Sequence, residues 1–320
     1  MSTPSTSRVT DWNTAPGLME GASQVELTAR DCNLDYWLSE VTQGTLAGLV
    51  HGHTPHAAVP DHMLEDGPLR DSIISELAFR SIAEEKATRA ISYIVASAPD
   101  IYAMEFFGTQ LIDEARHSRV FRGHLLELGV PENELAATIE RISGADSRAI
   151  LEPLEQFAFP MIRDQRDFLA GVVMLTILVE GVLAPSAELS ERKWRVLDPA
   201  GAEIERGANI DEIRHLTVGS SVVRECLLAR PDEKRRVLDI IVRGRQLWAN
   251  LPTTEVIFKR ELQFQEGMHQ HADAIGDYEI WKGKRLIDTT PEDRLAAAAS
   301  WSMEMQNSRL RYMGLPEAIL

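Results

Sequence analysis

Asp113-Glu114-Ala115-Arg116-His117 recurs, almost unchanged, as Asp211-Glu212-Ile213-Arg214-His215. In each copy a Glu and a His stand three residues apart, so on a helix both side chains leave the same face. One Glu-x-x-His is a weak signal. The chain itself contains a third, Glu266-Gly267-Met268-His269, which lacks a flanking Asp or Arg and has no level Glu in a preceding helix. That copy is expected on the surface. The first two carry weight only if further carboxylates stand opposite them.

The surrounding sequence predicts helices almost throughout, and strand-like alternation is nearly absent, so the fold class is all-α. Pro68 suits the first turn of a helix with Ile73, Ile74, Leu77, Ala87, Ile91 and Ile94 on a helical period. It should end before Pro99, where Asp100 can cap the next helix, which stops at Gly129. Shorter, less regular helices are expected over 131–160. A third long helix covers about 164–195, bent near Pro185, and a fourth runs from the turn at 198–201 to about Ala229. Two more helices and a helical or irregular tail complete the chain. Upstream, Ser23-Gln24-Val25-Glu26 has the form of a capping box, predicting a helix towards Val50. The loop 51–67 holds His51, His53, His56 and His62, reads as solvated, and offers no carboxylate or Cys frame for a metal.

Residues level across an antiparallel hairpin lie equally far from its turn. Glu114 is 15 residues after Pro99, and Glu84 is 15 before it. Glu84 also falls on the otherwise apolar line Leu77, Ile91, Ala98, so it is preferred to Glu85 as the inward carboxylate. Glu180 and Glu212 are centred on residue 196, just before the second turn. Glu180 is the only charge between Phe168 and Ala184, where an ionised carboxylate is costly unless paired or metal-bound. The candidate metal ligands are therefore Glu84, Glu114, His117, Glu180, Glu212 and His215. Oxygen-rich ligation with two imidazoles and no thiolate suits iron or manganese. Asp113 and Asp211 sit where they can accept from the imidazole N–H groups, the alternative being surface salt bridges with Arg116 and Arg214. Gln110, Phe121, Ile177, Ala184 and Gly219, one turn from the ligands, are the candidate substrate-pocket residues.

Composition narrows the functions. With 33 basic and 49 acidic residues the net charge is −16, which argues against nucleic acid or an anionic membrane as partner. Cys32 and Cys226 are the only cysteines, too few for a disulfide framework or a Cys-ligated cluster. Residues 1–22 are expected to be a disordered tail, and 23–320 a single domain with the metal-binding bundle over about 68–229. A cytoplasmic location is expected by default.

Together these residues resemble the ferritin-like di-iron oxygenase and oxidase superfamily, in which two Glu-x-x-His helices and one Glu from each of two others hold the metals. The Asp-Glu-x-Arg-His form is most similar to hydroxylase α subunits of bacterial multicomponent monooxygenases. The resemblance implies a ferritin-like four-helix bundle with additional flanking helices and two irons, with manganese or a mixed pair as the alternative. It also implies O2 as co-substrate, and that Asp113 and Asp211 hold the ligand histidines. The chain departs from its relatives in three places. Ala184 stands where that family has Thr, Phe121 where ribonucleotide reductase small subunits carry a radical Tyr, and Ala208 where arylamine N-oxygenases add a His ligand.

The function expected is oxidation of a small organic substrate, by hydroxylation or N-oxygenation, in specialised metabolism. The alternatives are a ferritin-type iron-handling or peroxide-reducing protein, or a supporting subunit. Without a nucleotide fingerprint or Cys cluster, electrons must come from an external reductase or ferredoxin. A homodimer is expected, with no nucleic-acid or membrane partner.

Overall fold

The computed structural model describes residues 9–319. Helix accounts for 77% of the chain and strand for 2%, so the fold is all-α. The main helices are α1 (Leu18–Gln24), α2 (Pro68–Ser97), α3 (Ile101–Glu127), α4 (Leu135–Phe159), α5 (Phe168–Trp194), α6 (Pro199–Ala229), α7 (Lys234–Ala249), α8 (Thr253–Gln270) and α9 (Pro291–Met313). One short hairpin, β1 (Glu279–Trp281) with β2 (Lys284–Arg285), precedes α9.

Local chemistry explains the boundaries. Pro68 opens α2 at a position whose N–H needs no partner. The carboxylate of Asp100 accepts from Ala103 N and caps α3, and Asp198 does the same for α6 through Gly201 N. Gly129, with φ +86°, turns the chain after α3. α2 lies along α3 and α5 along α6; α3 also touches α6, and α2 touches the start of α5.

Several expectations are corrected. Residues 1–8 of the expected tail lie outside the described residues, but 9–22 are anchored. Val9, Leu18 and Ala22 are buried in the main core, and α1 packs on α6. The capping box at Ser23 does not start a helix. Ser23 instead lies in the last turn of α1, its hydroxyl donating to Glu20 O, and Thr28 and Asp31 bond one another in a turn that competes with helix. Within 131–160, after one 3-10 turn at Glu132–Glu134, a single long helix, α4, takes the place of several short ones. The tail after α8 ends in the 23-residue α9, opened by a Thr290/Asp293 capping box. The loop 51–67 is only partly solvated: His53 bonds Glu127, and His62 meets Leu197 O.

α5 departs from regularity before Pro185. Met174–Glu180 is wound as a π-helix, and Pro185 sits inside the α-helical turns after it. Wider π turns free carbonyls and shift the register of the succeeding turns. Here the Leu178 carbonyl accepts from Trp248 Nε1 of α7 at 2.6 Å. Taken whole, α5 is long and apolar enough to cross a membrane by composition, but 83% of its most apolar window is buried inside the protein.

Candidate metal centre

Four helices bring six donors to one place. Glu114, Glu180, Glu212 and His215 form one group, and Glu84, Glu114 and His117 another; within each, the ligand atoms lie within 4.8 Å of one another. Glu114 belongs to both and would contact either ion of a bound pair. These are the six candidates read from the spacing. Glu84, not Glu85, points inward, for Glu85 is exposed and paired with Arg89 at 2.7 Å. The third motif stays outside: Glu266 and His269 are both exposed.

Each imidazole is held from behind. His117 faces Glu114 Oε2 with Nδ1 (3.0 Å) and Asp211 Oδ2 with Nε2 (3.0 Å). His215 places Nδ1 3.2 Å from Glu114 Oε1 and Nε2 3.3 Å from Asp113 Oδ2. Donation from Nε2–H to an Asp leaves the Nδ1 lone pair towards the cluster, the tautomer a metal ligand requires. The pairing is crossed: each Asp serves the His of the other motif. Arg116 donates to Asp211, and Arg214 to Asp113 at 2.8 Å. The salt bridges weighed for these Asp residues therefore exist, but they are buried and act alongside the His contacts. Arg214 also lies 2.8 Å from Asp211, and Trp37 Nε1 donates to the second oxygen of Asp113 at 3.0 Å.

The charge balance is that of a site built for cations. Burial pushes the Glu180 and Glu84 carboxyls well above the usual range, and the negative charges of Glu212 and Glu114 add to it. Burial raises Glu212 too. Burial would also raise Glu114, but the two imidazoles hold it low. For His117, burial acts downward and is overcome by Asp211 and Glu114, which lift it to about 10. His215 is lifted well above its usual value against burial, by Glu114 and Asp113. Without metal the cluster is thus held together by protons, which divalent ions would displace.

Unsatisfied atoms point the same way. Among the described residues, Glu180 Oε2, Glu212 Oε2 and His215 Nδ1 are buried without a hydrogen-bond partner. These are three atoms able to ligate a cation, and leaving such buried polar atoms unpaired is costly unless a proton or a cation completes them. The residues fit a pair of oxygen-preferring divalent ions.

A cavity of about 70 Å³ opens beside the carboxylates, walled by Glu84, Glu114, Glu180, Glu212 and a set of alanines that includes Ala184 and Ala208. Of the expected pocket residues, Ala184 lines it. Gln110 instead donates to Glu180 Oε1. Phe121 and Ile177 are fully buried in separate parts of the core. Gly219 allows a close approach, since a Cβ there would meet Thr176 Oγ1 at 2.1 Å. Trp37, on a separate N-terminal turn, gave no sequence signal. Ala83, Ala87 and Ala187 also line the cavity; Ala87 lies one turn from Glu84 and Ala187 one turn from Ala184, a signal the sequence did carry.

No protein-family model matches the chain, and the search of curated proteins gives no match.

Proposed function

We propose that the chain is a ferritin-like non-haem di-iron oxygenase or oxidase that uses O2 to oxidise a small organic substrate. The observation that carries this reading is the convergence of Glu84, Glu114, His117, Glu180, Glu212 and His215 from four helices, with three buried donor atoms left unpaired. Glu84, Glu114 and His117 would hold one ion, Glu180, Glu212 and His215 the other, and Glu114 can join the two. Bound iron would supply the redox chemistry with O2. Asp113 and Asp211 fix the imidazole tautomers, and the alanine-lined cavity leaves room beside the carboxylates. Four carboxylates match the charge of two divalent ions, which favours a ground state needing no further anion.

Anaerobic loading with ferrous iron tests this, followed by O2 exposure with candidate substrates and a chemical reductant. The expected result is about two irons per chain and O2 uptake coupled to an oxidised organic product over many turnovers. Protein that retains neither iron nor manganese would overturn the metal reading. O2 or peroxide consumed without an organic product would favour iron handling instead.

A further inference from the structure

A second cavity, of about 110 Å³, shares Arg80, Ala83, Glu84 and Leu183 with the one at the metal centre. Its polar wall is a lattice of buried charges. Arg80 pairs with Glu76 (3.6 Å) and Glu205 (3.2 Å), and Lys193 with Glu76 (3.3 Å) and Glu261 (2.6 Å). Arg294 donates to the other oxygen of Glu261 and to Thr289 Oγ1. Three carboxylates thus serve three cations, and a fourth cation on the same wall, Arg260, is left over.

Among the described residues, Arg260 has neither an ion-pair nor a hydrogen-bond partner. Its guanidinium stands 5.1 Å from the centre of the Phe79 ring, and its Nε is buried without an acceptor. Glu76, Glu261 and Asp146 act on it only from beyond ion-pair range. A guanidinium cannot shed its proton, and leaving a buried donor unsatisfied is costly, so this group is suited to an incoming anion. Its planar fork matches a carboxylate. Glu76 and Glu261 in the same wall would repel a dianion, whereas one free cation balances one negative charge.

A third cavity, about 100 Å³ and apolar, shares Ala83, Ala87, Leu175, Val179 and Leu183 with the one beside the carboxylates and is lined by Ile94, Leu154, Phe159 and Met174 among others. Ala83 and Leu183 line all three spaces. The space beside the carboxylates therefore adjoins both the cavity of the unpaired cation and the apolar slot. Each space is smaller than the roughly 150 Å³ that admits benzene, which favours a straight hydrocarbon chain over a ring.

We propose that the site takes an apolar straight-chain monocarboxylate, anchored on Arg260, with its chain passing Ala83 and Leu183 into the apolar slot. This deepens the oxygenase reading and rests on it for the chemistry, but not for the binding. Mid-chain carbons would then lie by Ala83 and Leu183, which also line the space beside the carboxylates, so oxidation is expected there, and the carboxylate end would stay away from the metals.

Calorimetric titration with octanoate, octanol and octylamine, on metal-free and on anaerobic ferrous-loaded protein, tests the binding directly. Octanoate should bind more tightly than octanol by roughly 10- to 100-fold, the range for a charge-assisted hydrogen bond, and octylamine should bind weakest. Arg260→Gln should remove that preference and leave octanol binding and metal content unchanged, while Arg260→Lys should keep part of it. Arg260→Gln should lower the thermal midpoint only slightly, since it breaks no ion pair and gives up only the contact with the Phe79 ring, whereas loss of a structural Arg would lower it strongly. Ala83→Phe should weaken octanoate and octanol alike by blocking the junction. Octanoate binding that is absent, no tighter than octanol, or indifferent to Arg260→Gln would overturn the proposal. Should Arg260→Gln fail to fold, Arg260→Lys and the wild-type preference still decide it. A protein that prefers octanoate through Arg260 but holds no metal would uphold the anchor and sink the oxygenase reading. Metal-dependent oxidation without carboxylate preference would do the reverse.

Discussion

His117 Nε2 lies 3.0 Å from Oδ2 of Asp211, a residue 94 positions away that belongs to the other motif. The reciprocal contact joins His215 to Asp113. Each motif therefore supplies a ligand face to the cluster and a carboxylate that sets the other motif's histidine. The Arg of each motif crosses over in the same sense. This arrangement ties α3 to α6 through buried charge as well as apolar contact, and it gives each of the four shared residue types a role in both copies.

Asp211→Asn tests that reciprocity. The amide cannot accept from His117 Nε2–H with the same strength, and it leaves Arg116 without its anionic partner. Metal affinity, measured by competition with a chelator, should fall about 10- to 100-fold. Helix content by circular dichroism should persist. Unchanged affinity would mean that the Asp residues serve only as ion-pair partners.

Much of this site was legible because antiparallel helices convert distance from a turn into height. Glu84 was located from its distance to Pro99, level with Glu114, and from the apolar line Leu77, Ile91, Ala98, and Glu180 by its isolation in an apolar run. The crossed pairing of the Asp residues was not legible, because spacing fixes a residue's face but not which neighbouring helix that face meets. The π winding of Met174–Glu180 was hidden for a related reason: the periodicity signal assumes 3.6 residues per turn, and a helix buried on all sides shows little periodicity. Phe121, Ile177 and Gly219 were expected at the pocket from one-turn spacing, yet they face core or a packed neighbour. Trp37 could not have been linked to Asp113, 76 positions on, by any local pattern.

Gly219 gives a packing prediction. Its missing side chain lets α6 approach Thr176 in the π segment, and a Cβ would lie 2.1 Å from Thr176 Oγ1 and 3.2 Å from its Cβ. Gly219→Ala should cost about 1–3 kcal/mol of stability, as overpacking does. Thr176→Ala removes the clashing hydroxyl, so the double variant should recover most of that loss. Additive losses in a denaturation series would show that the two positions do not share the space.

A pH dependence should arise away from the metal centre. His124 is fully buried between Glu127 (2.8 Å) and Asp198 (2.7 Å). Burial acts to lower it, but Asp198 and Glu127 lift it to about 9. A raised folded-state value stabilises the protein fully below about pH 6.5, the unfolded value, and this stabilisation is lost as pH rises towards 9. Glu127 is held down at about 2, burial being overcome by His124 and His53. Its smaller, solvent-screened contribution is present above about pH 4.5 and lost as pH falls towards 2. Chemical denaturation of wild type and His124→Gln from pH 6 to 9.5 measures the first effect, with the difference between the two shrinking as pH rises. A difference independent of pH would mean His124 is not charged in the fold.

Glu180→Gln separates a ligand from a core acid. Burial and the charge of Glu212 raise Glu180 well above the usual carboxylate range, so without metal it is protonated at neutral pH and an amide is a close substitute. Gln110 Nε2 donates to Glu180 Oε1, and the substituted amide can keep that acceptor through its carbonyl oxygen. Metal-free protein should therefore lose little stability. The metal-bound state should lose far more, because the amide supplies no charge to an ion that binds only the folded chain. The expected result is an unchanged thermal midpoint without metal, a smaller rise on adding ferrous iron than wild type shows, and metal content reduced from about two ions towards one. Full metal content with wild-type O2 uptake would make Glu180 a core residue, and the centre would then have to be built from the other five donors.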